Sequence, residues 1–292
     1  MHRKAEEEAD TGVVSATTTT QRGAAWAWQT PDGLTVPTTR SIAGRSLLGE
    51  WRAAVDAREK AAGGELVHAL LEDAVADVPA ARAVRDSTGE LSYRRLDELS
   101  HAFAHWLRAH GVGRGDRVLV QLPSRREQVA MLYGASRCGA IFVPVNPGMK
   151  EFHLTSVLGN AEPTLVITSG AATGRLRGLA SVPVHDLASI WPEVEALAVQ
   201  GLPAVTADVR PDDVAVLVYT SGSTAAPKAV VCPHAQVTFA SRAINEVLRY
   251  RPDDVVFCRF PLSWDYGLYK VLLCCLGRCE IVLAGEAMRP PQ

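Results

Sequence analysis

The chain has 292 residues, of which 47% are hydrophobic, so it can bury a substantial core in one large or two modest domains. Its formal net charge of -2 provides no overall attraction to nucleic acid or to an anionic membrane. No apolar run is long enough to span a bilayer, and the acidic N-terminus lacks the apolar segment of a secretory signal, so we expect a cytoplasmic protein.

Residues 1–64 differ in composition from the rest of the chain. The threonine run Thr17–Thr20 is of low complexity, and prolines and glycines interrupt any regular element nearby. We therefore predict a mostly disordered N-terminal extension, followed by a folded region over residues 65–292. A regulatory or docking arm is the alternative interpretation of the extension.

From Glu65 onward, hydrophobic periodicity alternates between helix and strand. Helices are predicted at Leu66–Val78, around Leu96–Leu107, after Ser124 as its N-cap, and at Glu151–Gly159, Pro233–Leu248 and Gly267–Cys275. Strands are predicted at Ala81–Asp86, Leu91–Tyr93, Arg117–Leu122, Ile141–Pro144, Thr164–Thr168, Val214–Tyr219, Ala229–Val231, Val255–Arg259 and Glu280–Leu283. This alternation is typical of an α/β layered fold with a mostly parallel sheet.

A hydroxyl-rich loop connects the strands predicted at Val214–Tyr219 and Ala229–Val231. Its polar and flexible residues are Thr220, Ser221, Gly222, Ser223 and Thr224, and it ends at Pro227–Lys228. Hydroxyl and backbone N–H groups donate hydrogen bonds, and lysine supplies a compact positive charge, so the loop suits a polyanion. It matches neither the P-loop nor the dinucleotide-binding pattern. On residue types alone, a phosphate-binding loop and a polar surface turn are equal alternatives.

The sequence of residues 219–229, Tyr-Thr-Ser-Gly-Ser-Thr-Ala-Ala-Pro-Lys-Ala, resembles the signature loop of the adenylate-forming superfamily. The family pattern is Thr-Ser-Gly-Ser/Thr-Thr-Gly-x-Pro-Lys-Gly/Ala, and the family includes acyl-CoA synthetases and the adenylation domains of nonribosomal peptide synthetases. The segments 91–97, 111–118 and 139–147 are also similar to family segments. The resemblance extends from about Glu65 to the C-terminus.

The resemblance implies the layered, parallel-sheet N-terminal part of an adenylate-forming large domain, truncated before its C-terminal subdomain. The implied reaction uses ATP to activate a carboxylic or amino acid as an acyl-adenylate, which then passes to the thiol of CoA or of a carrier protein. Mg²⁺ is the implied metal, but the family's Mg²⁺-binding glutamate, adenine-binding segment and C-terminal catalytic lysine have no counterpart here. We therefore expect the chain to be incomplete on its own. The alternative is an inactive fragment, or one half of a split enzyme that needs a complementing C-terminal chain.

The resemblance also assigns roles to the loop residues. It implies that the phosphates are bound by Thr220, Ser221, Gly222, Ser223, Thr224 and Lys228. It also implies that Lys228 is the catalytic residue. Ala225 replaces the second glycine of the family loop. If that position requires a positive φ, alanine costs about 1 kcal/mol or more.

Asp265 is the most informative candidate for substrate recognition. It follows Trp264 and precedes Tyr266, and these two aromatic side chains are candidates for lining the acyl pocket or, equally, for packing into the core. The Trp264–Asp265 pair resembles the aromatic-aspartate pair that binds the substrate amino group in peptide-synthetase adenylation domains. A carboxylate in a partly apolar pocket favours a cation. The alternative is that Asp265 caps the helix that begins near Gly267.

The cysteines do not predict a metal site. The chain has 6 of them, and the group Cys274, Cys275 and Cys279 lacks a Cys-x2-Cys pair and is flanked by leucines. We expect reduced, mostly buried thiols.

Overall fold

The structure, a computed structural model, describes residues 65–205, 207–220 and 227–284, and the backbone of two short N-terminal strands. The chain divides into two compact units, Met1–Arg58 and Glu59–Gln292. In the first unit the described residues form an antiparallel pair, β1 (Ala27–Gln29) and β2 (Thr35–Pro37). The predicted disorder of the extension otherwise falls outside the described residues and stays a prediction.

In the second unit, strands and helices alternate. The helices are α1 (Val67–Asp77), α2 (Tyr93–Ala109), α3 (Arg126–Cys138), α4 (Glu151–Ala161), α5 (Ala171–Leu179), α6 (Leu187–Val199), α7 (His234–Leu248) and α8 (Asp265–Gly277). The strands are β3 (Arg82–Asp86), β4 (Gly89–Ser92), β5 (Arg117–Val120), β6 (Ile141–Pro144), β7 (Leu165–Thr168), β8 (Val184–Asp186), β9 (Val214–Thr220), β10 (Lys228–Pro233), β11 (Val255–Cys258) and β12 (Glu280–Leu283). The predicted α/β alternation is confirmed.

These strands form two sheets. The larger has six strands in the order β10-β9-β6-β5-β7-β8, and all neighbours are parallel except β10, which is antiparallel to β9. The smaller has four strands in the order β11-β12-β3-β4, with only the β3–β4 pair antiparallel. The mostly parallel sheet predicted from the sequence is therefore divided between two layers.

The central strand β5 shows why the larger sheet is predominantly apolar. Val118 and Val120 pack into one hydrophobic core, whereas Leu119, between them, packs into a second core with α4 and α5. Successive side chains of a strand point to opposite faces, so a sheet covered by helices on both faces needs continuous apolar strands.

The smaller sheet joins the start of the folded unit to its end. Glu280 of β12 contacts Arg85 of β3 at 2.7 Å and Arg82 at 3.3 Å. The buried Tyr93 hydroxyl lies 2.9 Å from the carbonyl oxygen of Cys274 and 2.7 Å from that of Cys279. These contacts fix α8 and β12 against the first hairpin of the unit, and they thereby fix the segment that enters α8.

A buried histidine links α7 to α1. His234 is fully buried, and its Nδ1 accepts a hydrogen bond from the Val67 N–H at 3.1 Å. Its Nε2 has no hydrogen-bond partner within the described ranges of the chain. Burial lowers the pKa of His234 from 6.5 to about 4, so the imidazole is neutral in the folded protein.

We expect the folded chain to lose stability on mild acidification. The unfolded chain binds a proton at His234 below about pH 6.5, whereas the folded chain does so only near pH 4. The free energy of unfolding should therefore fall by about 2 kcal/mol between pH 7 and pH 5 through His234 alone. Burial also lowers the pKa of His68 to about 4, which acts in the same direction.

Urea unfolding at several pH values measures this effect. The His234→Gln variant should show a shallower loss of stability over the same range, because one titrating group is removed. An unchanged slope in this variant would contradict the assignment.

Candidate functional site

The hydroxyl-rich loop leaves the larger sheet between β9 and β10. Thr220 pairs with Lys228 at the open end of the two antiparallel strands, and the Thr220 hydroxyl lies 3.4 Å from the Lys228 carbonyl oxygen. Both side chains are exposed. The other predicted phosphate-binding residues, Ser221, Gly222, Ser223 and Thr224, lie outside the described residues, as does Ala225. The described part of the loop thus presents a hydroxyl and an ammonium group at one end of the sheet.

The segment between β11 and α8 is fixed by hydrogen bonds that its backbone N–H groups donate. The Leu262 N–H donates to the Ser124 hydroxyl at 3.1 Å, and the Trp264 N–H donates to the Pro261 carbonyl at 3.0 Å. A side chain added at Gly267 would place its Cβ 2.2 Å from the Pro261 oxygen. Glycine therefore lets the first turn of α8 lie directly against this segment.

The prediction that Ser124 caps α3 is wrong. The N-cap is Arg125, whose side chain makes no capping hydrogen bond. Instead, the Asp86 carboxylate from the end of β3 accepts a hydrogen bond from the Arg126 N–H at 3.0 Å. Because a distant carboxylate satisfies this helix end, the Ser124 hydroxyl is available to hold Leu262.

Asp265 is the first residue of α8 rather than its N-cap, which is Trp264. Its Oδ1 accepts a hydrogen bond from the Tyr266 N–H at 2.8 Å. The carboxylate is exposed, and no ion pair to it is found among the described residues. Burial raises the pKa of the neighbouring Tyr269 to about 12, and the negative charge of Asp265 adds to this. One carboxylate oxygen thus remains available to a ligand.

Asp265 faces a cavity of about 360 Å³, which we call the Asp265 cavity. Polar and aromatic side chains from β9, β10 and the start of α8 line it, among them Thr220, Cys232, Ser263, Trp264, Asp265 and Tyr269. The cavity therefore brings together the substrate candidate Asp265 and the phosphate candidate Thr220.

A second cavity of about 280 Å³ adjoins the same wall, and we call it the Lys150 cavity. Lys150 and His153 line it from the start of α4, and Pro227 lines it from the end of the hydroxyl-rich loop. Ser263 and Trp264 line both cavities. The segment that precedes α8 therefore forms the boundary between them.

The two aromatic candidates differ in their position. Trp264 is 47% exposed and lines both cavities, whereas Tyr266 is 68% exposed and is absent from the lining residues of either. The Tyr266 ring instead lies 5.5 Å from that of Phe260. Neither packs into the core, so that alternative does not apply.

Several lining residues had no assignment from the sequence. Tyr269 follows Asp265 by four residues, and this spacing places both on one face of a helix, so the sequence contained that signal. Lys150 and His153 carry no local signal. They reach the site because β6, which precedes them, lies beside β9 in the sheet.

The described part of the chain also contains a set of cysteines near α8. Cys258, Cys274, Cys275 and Cys279 are buried, as expected for free thiols in apolar surroundings. Within the same part of the chain, no group of three or more metal-ligating side chains comes together, and no helix has the length and apolar character to cross a membrane.

The chain is similar to proteins of a known family. A family model described as AMP-binding enzyme matches residues 71–292. Pyochelin synthetase PchF of Pseudomonas aeruginosa is 32% identical over 211 residues, which are 72% of this chain and 11% of PchF. The 4-coumarate–CoA ligase 5 of Oryza sativa subsp. japonica is 33% identical over 199 residues, which are 64% of this chain and 37% of the ligase.

Among solved structures, that of VinN with 3-methylaspartate is similar with a TM-score of 0.74 and 51% sequence identity. The match covers 76% of this chain and 62% of that one. VinN has also been solved with L-aspartate. The chain thus spans less than two thirds of the length of each of these proteins.

Proposed function

The chain belongs to the family of AMP-binding enzymes, and on this basis we propose that it is the N-terminal part of a catalytic unit that activates an amino acid with ATP. The observation that carries the proposal is the Asp265 carboxylate. It faces a cavity beside Thr220 and has no cationic partner among the described residues. A substrate ammonium group would supply that partner.

In the proposed reaction, one oxygen of the substrate carboxylate forms a bond to the α-phosphorus of ATP. The bond between this phosphorus and the oxygen that bridges to the β-phosphorus breaks, and pyrophosphate leaves. A carboxylate is a weak nucleophile, so the rate depends on holding it in line with phosphorus and on neutralising the departing charge. Asp265 would orient the amino acid, whereas Thr220 and Lys228, with residues 221–224, would bind the phosphate chain.

The exposed hydroxyl and ammonium groups at the end of β9 and β10 fit a triphosphate, because they supply a donor and a positive charge. The glutamate that binds Mg²⁺ in this family has no counterpart in the sequence. Mg²⁺ therefore enters the proposal only as the counterion of ATP, and no step is assigned to it.

The favoured substrate is an amino dicarboxylic acid related to aspartate. VinN, which shares 51% identity with this chain, has been solved with 3-methylaspartate, and it has also been solved with L-aspartate. The adenylate would pass to the thiol of a carrier protein or of CoA. An aspartate that binds an amino group favours the carrier protein, since peptide synthetases use amino acids.

A second candidate function is that of one half of a split enzyme, which would bind a complementing C-terminal chain. Apolar side chains are exposed on two edge strands and on the helix between them: Val230 and Val231 of β10, Val247 and Leu248 of α7, and Val255 and Phe257 of β11. Edge strands with exposed apolar side chains favour pairing with another chain. The complementing chain would cover this surface and supply the remaining catalytic residues.

We expect the isolated chain to show no L-aspartate-dependent exchange of pyrophosphate into ATP. The reason is that the family's adenine-binding segment and catalytic lysine have no counterpart in it. A radiolabelled exchange assay measures this directly. Robust exchange by the chain alone would contradict the expectation that the chain cannot catalyse the reaction on its own.

The same assay separates the two candidates when the coding sequence downstream is expressed as a separate chain. Exchange that appears on mixing, together with co-purification, supports complementation. A stable monomer that gains nothing from the added chain argues against it.

A further inference from the structure

Ser263 is a buried side chain whose hydroxyl has no partner in the described part of the chain. It is 4% exposed, and its Oγ has no hydrogen-bond partner among the residues that the structure describes. Buried hydroxyl groups are normally paired, because an unpaired one loses its hydrogen bonds to water without replacement. A buried polar atom that lacks a partner, on a residue that lines a cavity, is a candidate to pair with a ligand.

The position of Ser263 is well defined. The residues on either side of it are held through their N–H groups. The Leu262 N–H donates to the Ser124 hydroxyl at 3.1 Å, and the Trp264 N–H donates to the Pro261 carbonyl at 3.0 Å. Ser263 shares the Asp265 cavity with Asp265, and it shares the Lys150 cavity with Pro227. Ser263 therefore lines both the cavity that contains the amino-group candidate and the cavity beside Pro227.

We propose that Ser263 is a positioning residue whose hydroxyl donates a hydrogen bond to a carboxylate of the substrate while Asp265 binds the ammonium group. The inference rests on the proposed function, because it needs an amino acid in the Asp265 cavity. A hydroxyl suits this role because it is a neutral donor. It can orient a carboxylate without placing a full positive charge beside the oxygen that attacks phosphorus.

Binding of four small ligands to the 292-residue chain tests the inference. The ligands are L-aspartate, succinate without the ammonium group, β-alanine without the α-carboxylate, and L-alanine without the side-chain carboxylate. Ligand-observed NMR titration gives each dissociation constant. The Ser263→Ala variant should bind L-aspartate and succinate roughly tenfold more weakly than the wild type. For either β-alanine or L-alanine, the variant and the wild type should bind with equal affinity, because that ligand lacks the carboxylate that Ser263 holds.

Three variants serve as controls. Ser263→Thr keeps the hydroxyl and should keep the carboxylate-dependent affinity. Ser241→Ala removes a buried hydroxyl that is already bonded to the Val237 carbonyl at 2.8 Å, outside both cavities, and should leave ligand binding unchanged. Asp265→Asn should weaken the binding of L-aspartate but not that of succinate. Because the Ser263 hydroxyl has no hydrogen-bond partner within residues 65–205, 207–220 and 227–284, the melting temperature of Ser263→Ala should equal or exceed that of the wild type.

The outcomes distinguish the inference from the function on which it rests. Equal affinities in Ser263→Ala and the wild type, or an equal loss for all four ligands, would overturn the positioning role. Failure of the wild type to bind any of the ligands would overturn the proposed function itself. That result is seen before any serine variant is compared.

Discussion

Changing Asp265 to asparagine is expected to weaken L-aspartate binding by about 30-fold, which corresponds to the loss of one hydrogen bond to a charged group. Asparagine has nearly the same shape and keeps an amide oxygen that can accept the hydrogen bond from the Tyr266 N–H. The start of α8 should therefore persist in the variant. Only the negative charge is lost, so the effect reports on the substrate cation rather than on folding.

Titration of the wild type and of Asp265→Asn with L-aspartate and with succinate measures the effect. Succinate has no ammonium group and should bind both proteins equally. Asp253→Asn, at an exposed position outside both cavities, is the matched control and should bind L-aspartate as the wild type does. An undiminished affinity of Asp265→Asn for L-aspartate would contradict the ammonium assignment and would leave Asp265 with only its contact at the helix end.

The sequence predicted elements well where their periodicity was strong and local. The helix around Leu96–Leu107 and the strand Ile141–Pro144 are both present. Ser124 was misassigned because the group that satisfies the N-terminus of α3 is Asp86, on a strand from an earlier hairpin. Local sequence can show that a helix end needs a partner, but it cannot show which distant residue supplies it.

In the candidate site, too, local sequence identifies some residues, whereas others are brought in only by the fold. Thr220, Lys228 and Asp265 could be named from short motifs. Thr220 and Asp265 line the Asp265 cavity, whereas Lys228 pairs with Thr220 across β9 and β10 and lines neither of the two cavities. Lys150 joins them only through the order of strands in the larger sheet. That the Ser263 hydroxyl has no partner among the described residues depends on how the surrounding side chains pack, so no pattern of residues along the chain could have revealed it.

Gly267 is expected to tolerate no side chain, because α8 begins in contact with backbone atoms. A Cβ at this position would lie 2.2 Å from the Pro261 oxygen, 2.7 Å from the Pro261 carbonyl carbon and 2.9 Å from the Phe260 oxygen. None of these atoms can rotate away, as the end of a side chain could. Gly267→Ala should therefore lower the free energy of unfolding by about 3 kcal/mol, the upper part of the range for overpacked sites.

The same change should weaken L-aspartate binding, since relief of the clash requires α8 to move away from the segment that carries Ser263 and Asp265. Gly174→Ala is the matched control, because Gly174 lies inside α5 and an added Cβ meets no described atom within 4 Å apart from the neighbouring residues and backbone of its own helix. There, alanine should stabilise the chain by about 0.5–1 kcal/mol through its higher helix propensity. Urea unfolding of both variants thus measures the same glycine-to-alanine change at two positions. The free energy of unfolding should fall at Gly267 and rise at Gly174. Equal effects would show that the contact of Gly267 with Pro261 does not constrain the site.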